Sequence, residues 1–188
     1  MGNSKAMTIN STDYQIDIIG KNHDTYTAGG TAPLTFQMHD CYDTKYQMNN
    51  NSTNSGGWTS CAMRSTHLPA ILALMPAAVQ SGIREVNKLT SAGGTSTKIK
   101  TTADKLFLLS ETEMYSKKQY STGGEGTKYD YYNGSDRMVK KQNGNAVVWW
   151  ERSPNAGDTE SFCGIGANGY RLYNKAGRQE GVAFAFCF

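Results

Sequence analysis

Long apolar runs are missing from this chain, and so is any block of like charge. No stretch approaches the length that spans a bilayer, so membrane insertion is not expected. Lysine and arginine together number 19 against 16 acidic residues, a net charge of +3. A balance so even leaves no electrostatic footprint for nucleic acid. The four cysteines, Cys41, Cys61, Cys163 and Cys187, form no C-x-x-C pair, which argues against a zinc site or a thioredoxin-type centre. The burial tendency of cysteine points to free thiols in the core, although four would allow three disulfide pairings. Residues Met1 to Met7 lack the apolar segment of a secretory signal. Enzyme signatures are missing as well. There is no G-x-S-x-G, no phosphate loop, no H-E-x-x-H, and no carboxylate pair at a defensible acid–base spacing. Neither catalysis nor a cofactor is expected.

What replaces charge and apolar bulk is glycine, 20 residues, with asparagine, serine and threonine. That composition describes a loop-rich fold rather than a helical bundle, and 188 residues suit one domain with a real core. Residues 1–13 read as a polar leader or the end of a linker, and 14–188 as a single domain. Near-alternation predicts strands at Tyr14–Gly20 and Leu34–Met38. The Asn49–Gly57 stretch is a loop. A helix capped by Thr59 or Ser60 runs toward Leu74 until Pro76 breaks it, and a shorter one follows at Ala77–Ser81. Ile71, Met75, Val79 and Ile83, spaced by four, share one core-facing side. A strand is expected near Ile83–Leu89, a hairpin-like loop at Ser91–Thr102 and a buried strand at Lys105–Leu109. Ser110-Glu111-Thr112-Glu113 has the spacing of a capping box. Between Gly123 and Gly144, Tyr129, Tyr131 and Tyr132 serve either as a binding face or as packing. His23 and His39 lie near Asp24 and Asp40, but no third or fourth ligand has metal-site spacing, so turn and edge hydrogen bonds are the expected role.

The last forty residues organise the rest. Val147-Val148-Trp149-Trp150 is a strong strand signal, followed by a polar turn over Glu151–Gly157. Asp158 to Gly181 has no period, apart from Phe162, Cys163 and Ile165, which suit the inward positions of a further strand. The apolar run Val182–Phe188 closes the chain. This is the layout of a rigid frame around a display surface.

Trp149-Trp150-Glu151-Arg152-Ser153-Pro154, then Phe162-Cys163, then Gly181-Val182-Ala183-Phe184-Ala185-Phe186-Cys187-Phe188 resembles the variable region of proteins diversified by diversity-generating retroelements. The likeness continues upstream through Ile18–Asp24, Gly56-Gly57-Trp58, Ala62-Met63-Arg64, Thr101–Ser110 and Gly124–Thr127. The resemblance implies an α+β, C-type-lectin-like fold of the formylglycine-generating-enzyme subclass, with short antiparallel strands and two or three short helices. It also implies a variable region over about 149–188 and a non-enzymatic role in binding an unknown protein or glycan on a host or neighbouring cell surface. The setting would be a phage tail or a cell exterior, and a homo-oligomer stays open.

In such elements, adenines of asparagine codons are the favoured targets. Asp158, Ser161, Gly164, Gly166, Tyr170, Leu172, Tyr173, Asn174, Gly177 and Arg178 are reachable from such codons, whereas Glu160, Lys175, Gln179 and Glu180 are not. The expected ligand-contacting set comprises the ten reachable residues together with Glu160 and Glu180. Tyr170, Arg171, Tyr173 and Arg178 among small residues have the composition of a paratope. Ser153-Pro154-Asn155 has serine where calcium-dependent lectins of this fold carry an acidic ligand, so no calcium is expected. Cys163 and Cys187 stand too far apart in sequence to suggest the paired active-site thiols of the related enzymes. They remain open as packing partners or a disulfide. An enzyme on the same fold and an undiversified surface domain are the competing readings.

Overall fold

The computed structural model describes residues 2–134 and 137–188. Met1 of the expected leader and positions 135 and 136 of the tyrosine-rich stretch lie outside the described residues. The chain forms an α+β fold of short, mostly antiparallel strands with a few short helices.

Both ends of the chain enter one sheet. β1 (Ser4–Ile9), β2 (Thr12–Lys21), β3 (Leu34–Met38) and the last strand, β11 (Ala185–Cys187), lie in the order β1-β2-β3-β11, antiparallel throughout. The expected leader is therefore mostly strand. Met7 and Ile9 alternate with exposed residues and bury themselves, a period too short and too polar at its start to stand out. Two hairpins follow in chain order: β4 (Val86–Ser91) with β5 (Ile99–Asp104), and β6 (Lys140–Gln142) with β7 (Asn145–Val147). Asn143 and Gly144 turn the second hairpin with φ of 50° and 80°, the left-handed pair that matches strand twist. A three-stranded sheet, β10-β9-β8, is built from β8 (Trp149–Pro154), β9 (Ser161–Ile165) and β10 (Arg171–Lys175).

The helices are short. α1 (Gly57–Ser60), a π-type turn (Met63–His67) and α2 (Leu68–Ala73) replace the helix expected to run toward Leu74, and α3 (Ala77–Gly82) is the shorter helix expected after Pro76. Ile71, Met75 and Ile83 are buried as their spacing requires, and Val79 packs against them. α4 (Glu111–Tyr115) opens with the predicted capping box, Ser110 and Glu113 exchanging hydrogen bonds with each other's backbone. Two expectations shift. The Ser91–Thr102 loop is shorter, because 99–104 pairs with β4, and Leu106–Leu109 is buried but forms no ladder, meeting the sheets through a Phe107–Ala185 bridge and a hydrogen bond from the Arg152 amide to the Leu109 carbonyl. All four cysteines are buried and free. Among the described residues no helix is long and apolar enough to cross a membrane.

Candidate ligand-binding face

The face begins with what supports it. All six residues of β8 are buried, although the sequence suggests a polar turn from Glu151 onward. The correction has an electrostatic cause: the charges of this strand are used internally. Arg152 is fully buried and spends its whole guanidinium. Nε donates to Thr90 Oγ1 at 2.8 Å, and Nη1 to the Leu108 carbonyl at 2.8 Å and to Glu113 Oε2 at 2.5 Å. Nη2 donates to Glu113 Oε1 and to the carbonyls of Leu89 and Glu125, each at 3.0 Å. Burial pushes Glu113 up, but Arg152 and Lys88 overcome that and hold it below its ordinary range. Glu125, buried against Ser153 and the Ser91 amide, goes the other way because burial outweighs its hydrogen bonds. Trp149 and Trp150 are fully buried, their indole N–H groups bound to the carbonyls of Met138 at 2.9 Å and Tyr46 at 2.8 Å. Phe184 and Phe186 complete the frame beneath.

A turn over 155–161 leads from β8 to β9, and a distant side chain sets its shape. Asn54, in the Asn49–Gly57 loop, is fully buried. Its amide nitrogen donates to the carbonyls of Asn155, Asp158 and Ser161 at 3.1, 2.9 and 2.8 Å, and its oxygen accepts from the Gly94 amide at 2.7 Å. Gly93 passes so close that a Cβ there would lie 1.8 Å from the Asn54 carbonyl. The sequence gives no signal for this residue, because Asn54 sits among other asparagines in an unpatterned loop. Asp158 works from inside the turn. Oδ1 accepts from the amides of Glu160 at 2.8 Å and Ser161 at 2.7 Å, and Oδ2 from Asn155 at 2.8 Å. Burial raises the Asp158 carboxyl, but those donors leave it below its usual range.

The outer strand, β10, carries what is displayed. Tyr170, just before it, is 74% exposed, and Tyr173 is 47% exposed with its ring edge-on to Tyr120 at 5.1 Å. Glu160, Gly177 and Arg178 are exposed, and Glu160 pairs with Lys175 at 2.9 Å. Glu160, Tyr173, Lys175 and Arg178 line an open cleft of about 620 Å³ together with Thr95, Asp158, Ser161 and Asn174. Leu172 and Asn174 are half-buried, Asn174 donating to Glu180 at 2.9 Å. Arg171 is drawn inward, stacked 3.8 Å over the Tyr115 ring and bound to the Lys117 carbonyl at 2.9 Å.

Four of the expected contact residues do not reach the surface. Ser161, Gly164, Gly166 and Glu180 are buried. Ser161 and Gly164 belong to β9, which is covered by β8 and β10 on either side. At Gly164 a Cβ would stand 2.7 Å from the Trp149 carbonyl oxygen, so the position admits no side chain while the sheet holds. Glu180 turns back to accept from Asn174 and to pair with Arg178 at 3.3 Å. Asp158 remains part-exposed, but its carboxylate is occupied by the turn. Thr95 and Lys175 join the cleft unannounced, the first from another part of the chain and the second omitted by codon reach, and Tyr120 supports it through the Tyr173 ring.

Tyr129, Tyr131 and Tyr132 are buried, which removes them as a binding face. Tyr129 binds Asp24 at 2.8 Å and stacks on His23 at 3.8 Å, and Tyr131 binds Asp17 at 2.6 Å. His39 also binds Asp17, at 2.7 Å, rather than acting with Asp40. No group of three or more histidine, cysteine, aspartate or glutamate side chains suited to a metal occurs among the described residues.

Frame, clamped turn and outer strand together define an α+β domain that offers a mixed aromatic and charged surface on a rigid support. Within that class, residues 30–187 match the family described as a domain of unknown function, DUF6273, and the chain belongs to it. No curated protein and no solved structure matches the chain.

Proposed function

We propose that this is a ligand-binding display domain of C-type-lectin-like, formylglycine-generating-enzyme type whose C-terminal region is diversified by a retroelement. It acts as a phage-tail or cell-surface adhesin and performs no catalysis. The supporting observation is the division of labour along 158–180. Glu160, Tyr173 and Arg178 face solvent along one cleft and Tyr170 and Gly177 are exposed as well, while their neighbours Ser161, Gly164 and Gly166 are buried. Substitution at the first group leaves the core untouched, a requirement for any surface that must change without unfolding. Tyrosine offers rigid amphipathic area and arginine forked hydrogen bonding, the chemistry of adaptable recognition of a protein or glycan.

The test has two arms. The DNA beside the coding sequence is expected to hold a reverse-transcriptase gene and a near-copy of the final codons differing only at adenines. Its absence removes diversification and leaves an undiversified surface domain. A library varied at 160, 170, 173 and 178 is expected to stay folded and to yield binders to proteins or glycans. A parallel library at 161, 164 and 166 is expected to unfold. Equal loss of folding in both libraries overturns the display reading.

A further inference from the structure

A second buried cluster lies away from the cleft. Thr27 N–H donates to Glu85 and Asn87 N–H to Thr25, around an antiparallel bridge between Tyr26 and Val86. Continuing that register places Asp24 directly opposite Lys88, with both side chains on one face. Both are almost wholly buried. Lys88 Nζ lies 2.8 Å from Asp24 Oδ1 and 2.6 Å from Glu113 Oε1. The Phe107 ring covers the nitrogen at 4.2 Å. On the far side of the Asp24 carboxyl, Oδ2 accepts from the hydroxyls of Thr35 and Tyr129, the latter at 2.8 Å.

An amine, a carboxyl group and a second carboxylate, pressed together where water is excluded, are the components of an internal amide bond. We propose that Lys88 Nζ and Asp24 Cγ become joined by an isopeptide bond, with Glu113 carrying the proton. The resting pair is ionic. Burial raises the Asp24 carboxyl, but Lys88, His23 and Thr35 hold it well below the ordinary range. Transfer of one proton from Nζ to Oδ1 converts the pair to amine and carboxylic acid, an uphill step whose cost the low dielectric reduces because it removes two buried charges. The nitrogen lone pair then attacks Cγ. Thr35 and Tyr129 donate to Oδ2 as it takes on negative charge, in the manner of an oxyanion hole. Glu113 Oε1 accepts the proton released by nitrogen and returns it to Oδ1. The Cγ–Oδ1 bond breaks and water leaves. In sum, an ammonium and a carboxylate give one amide and one water, with no oxidant or reductant. Arg152 holds Glu113 in its anionic form and aims it, through two hydrogen bonds.

The bond would tie the segment after β2 to β4 and close a loop between positions 64 apart, which stabilises chiefly by restricting the unfolded chain. It would do for this fold what its four free thiols do not. The inference is independent of the ligand-binding reading.

The experiment is the intact mass of the purified full chain under denaturing conditions. The expected mass is lower than that of the sequence by one water, and digestion should release a branched peptide joining the segments that contain Asp24 and Lys88. A full sequence mass with no branched peptide overturns the proposal and leaves an ion-pair network. Loss of water without the branched peptide, as in succinimide formation, overturns it equally. Glu113→Gln is expected to retain the full mass or cross-link many-fold more slowly, and cross-linking at the wild-type rate removes Glu113 from the step. Should that variant fail to fold, the wild-type mass and peptide map still decide the bond.

Discussion

β8 and β10 stand two strands apart in one sheet and are close to opposites. β8 reads Trp-Trp-Glu-Arg-Ser-Pro and is buried at all six positions. β10 reads Arg-Leu-Tyr-Asn-Lys and is buried at none. Each carries charge, so composition does not separate them. What separates Arg152 from Lys175 is how many fixed partners each cation has. Arg152 has six hydrogen bonds to protein atoms, whereas Lys175 has one exposed carboxylate for company. Polarity on the buried edge strand contributes specificity of packing, and on the solvent-facing edge strand it contributes adaptability.

The contrast can be broken most severely at Arg152. Arg152→Met leaves Lys88 as the one cation bound to buried Glu113 and takes a donor from the carbonyls of Leu89, Leu108 and Glu125, and is expected to cost about 3–5 kcal/mol in denaturant unfolding. A loss below about 1 kcal/mol would mean that the network is dispensable. Trp150→Ala is expected to cost a similar ~3–5 kcal/mol through the cavity and the lost bond to Tyr46, read as a lowered melting temperature.

Glu151 should behave in the reverse sense. It is buried, with no hydrogen-bond partner on either oxygen among the described residues. Burial, then Glu111 and Glu125, push its carboxyl well above the ordinary range. A folded pKa raised above the unfolded one means that the acid form is favoured in the fold. Stability is therefore lost as pH rises from the unfolded value, about 4.3, toward the raised folded value. Glu151→Gln is expected to raise the melting temperature at neutral pH, with an advantage that shrinks as pH falls toward 4. An advantage independent of pH would show that shape rather than charge is responsible. The smallest effect is expected at Tyr173, where Tyr173→Ser should move stability by no more than about 0.5 kcal/mol while changing what binds at the cleft.

Much of the architecture was legible because it rests on local physics. The strand at Leu34–Met38, the break at Pro76 and the capping box at Ser110 each depend on neighbours within a few positions. The buried tryptophans announced the frame. What escaped were features fixed by partners far along the chain. Glu151–Pro154 looked like a turn because the partners that bury Arg152 and Ser153, namely Glu113, Thr90 and Glu125, lie far along the chain. Residues 4–9 looked like a leader because only pairing with β2 gives them a buried side. Codon reach likewise selected Ser161, Gly164 and Gly166, since it carries no information on which of them face inward.

The clamp made by Asn54 bears on protein engineering. A designer wishing to transplant the cleft onto another scaffold would be tempted to excise 155–180 as one contiguous cassette. That piece would arrive without the amide that gathers the carbonyls of Asn155, Asp158 and Ser161, and without Gly93, which makes room for it. The transferable module is discontinuous: the cassette, Asn54 and the glycine pair at 93–94 must travel together.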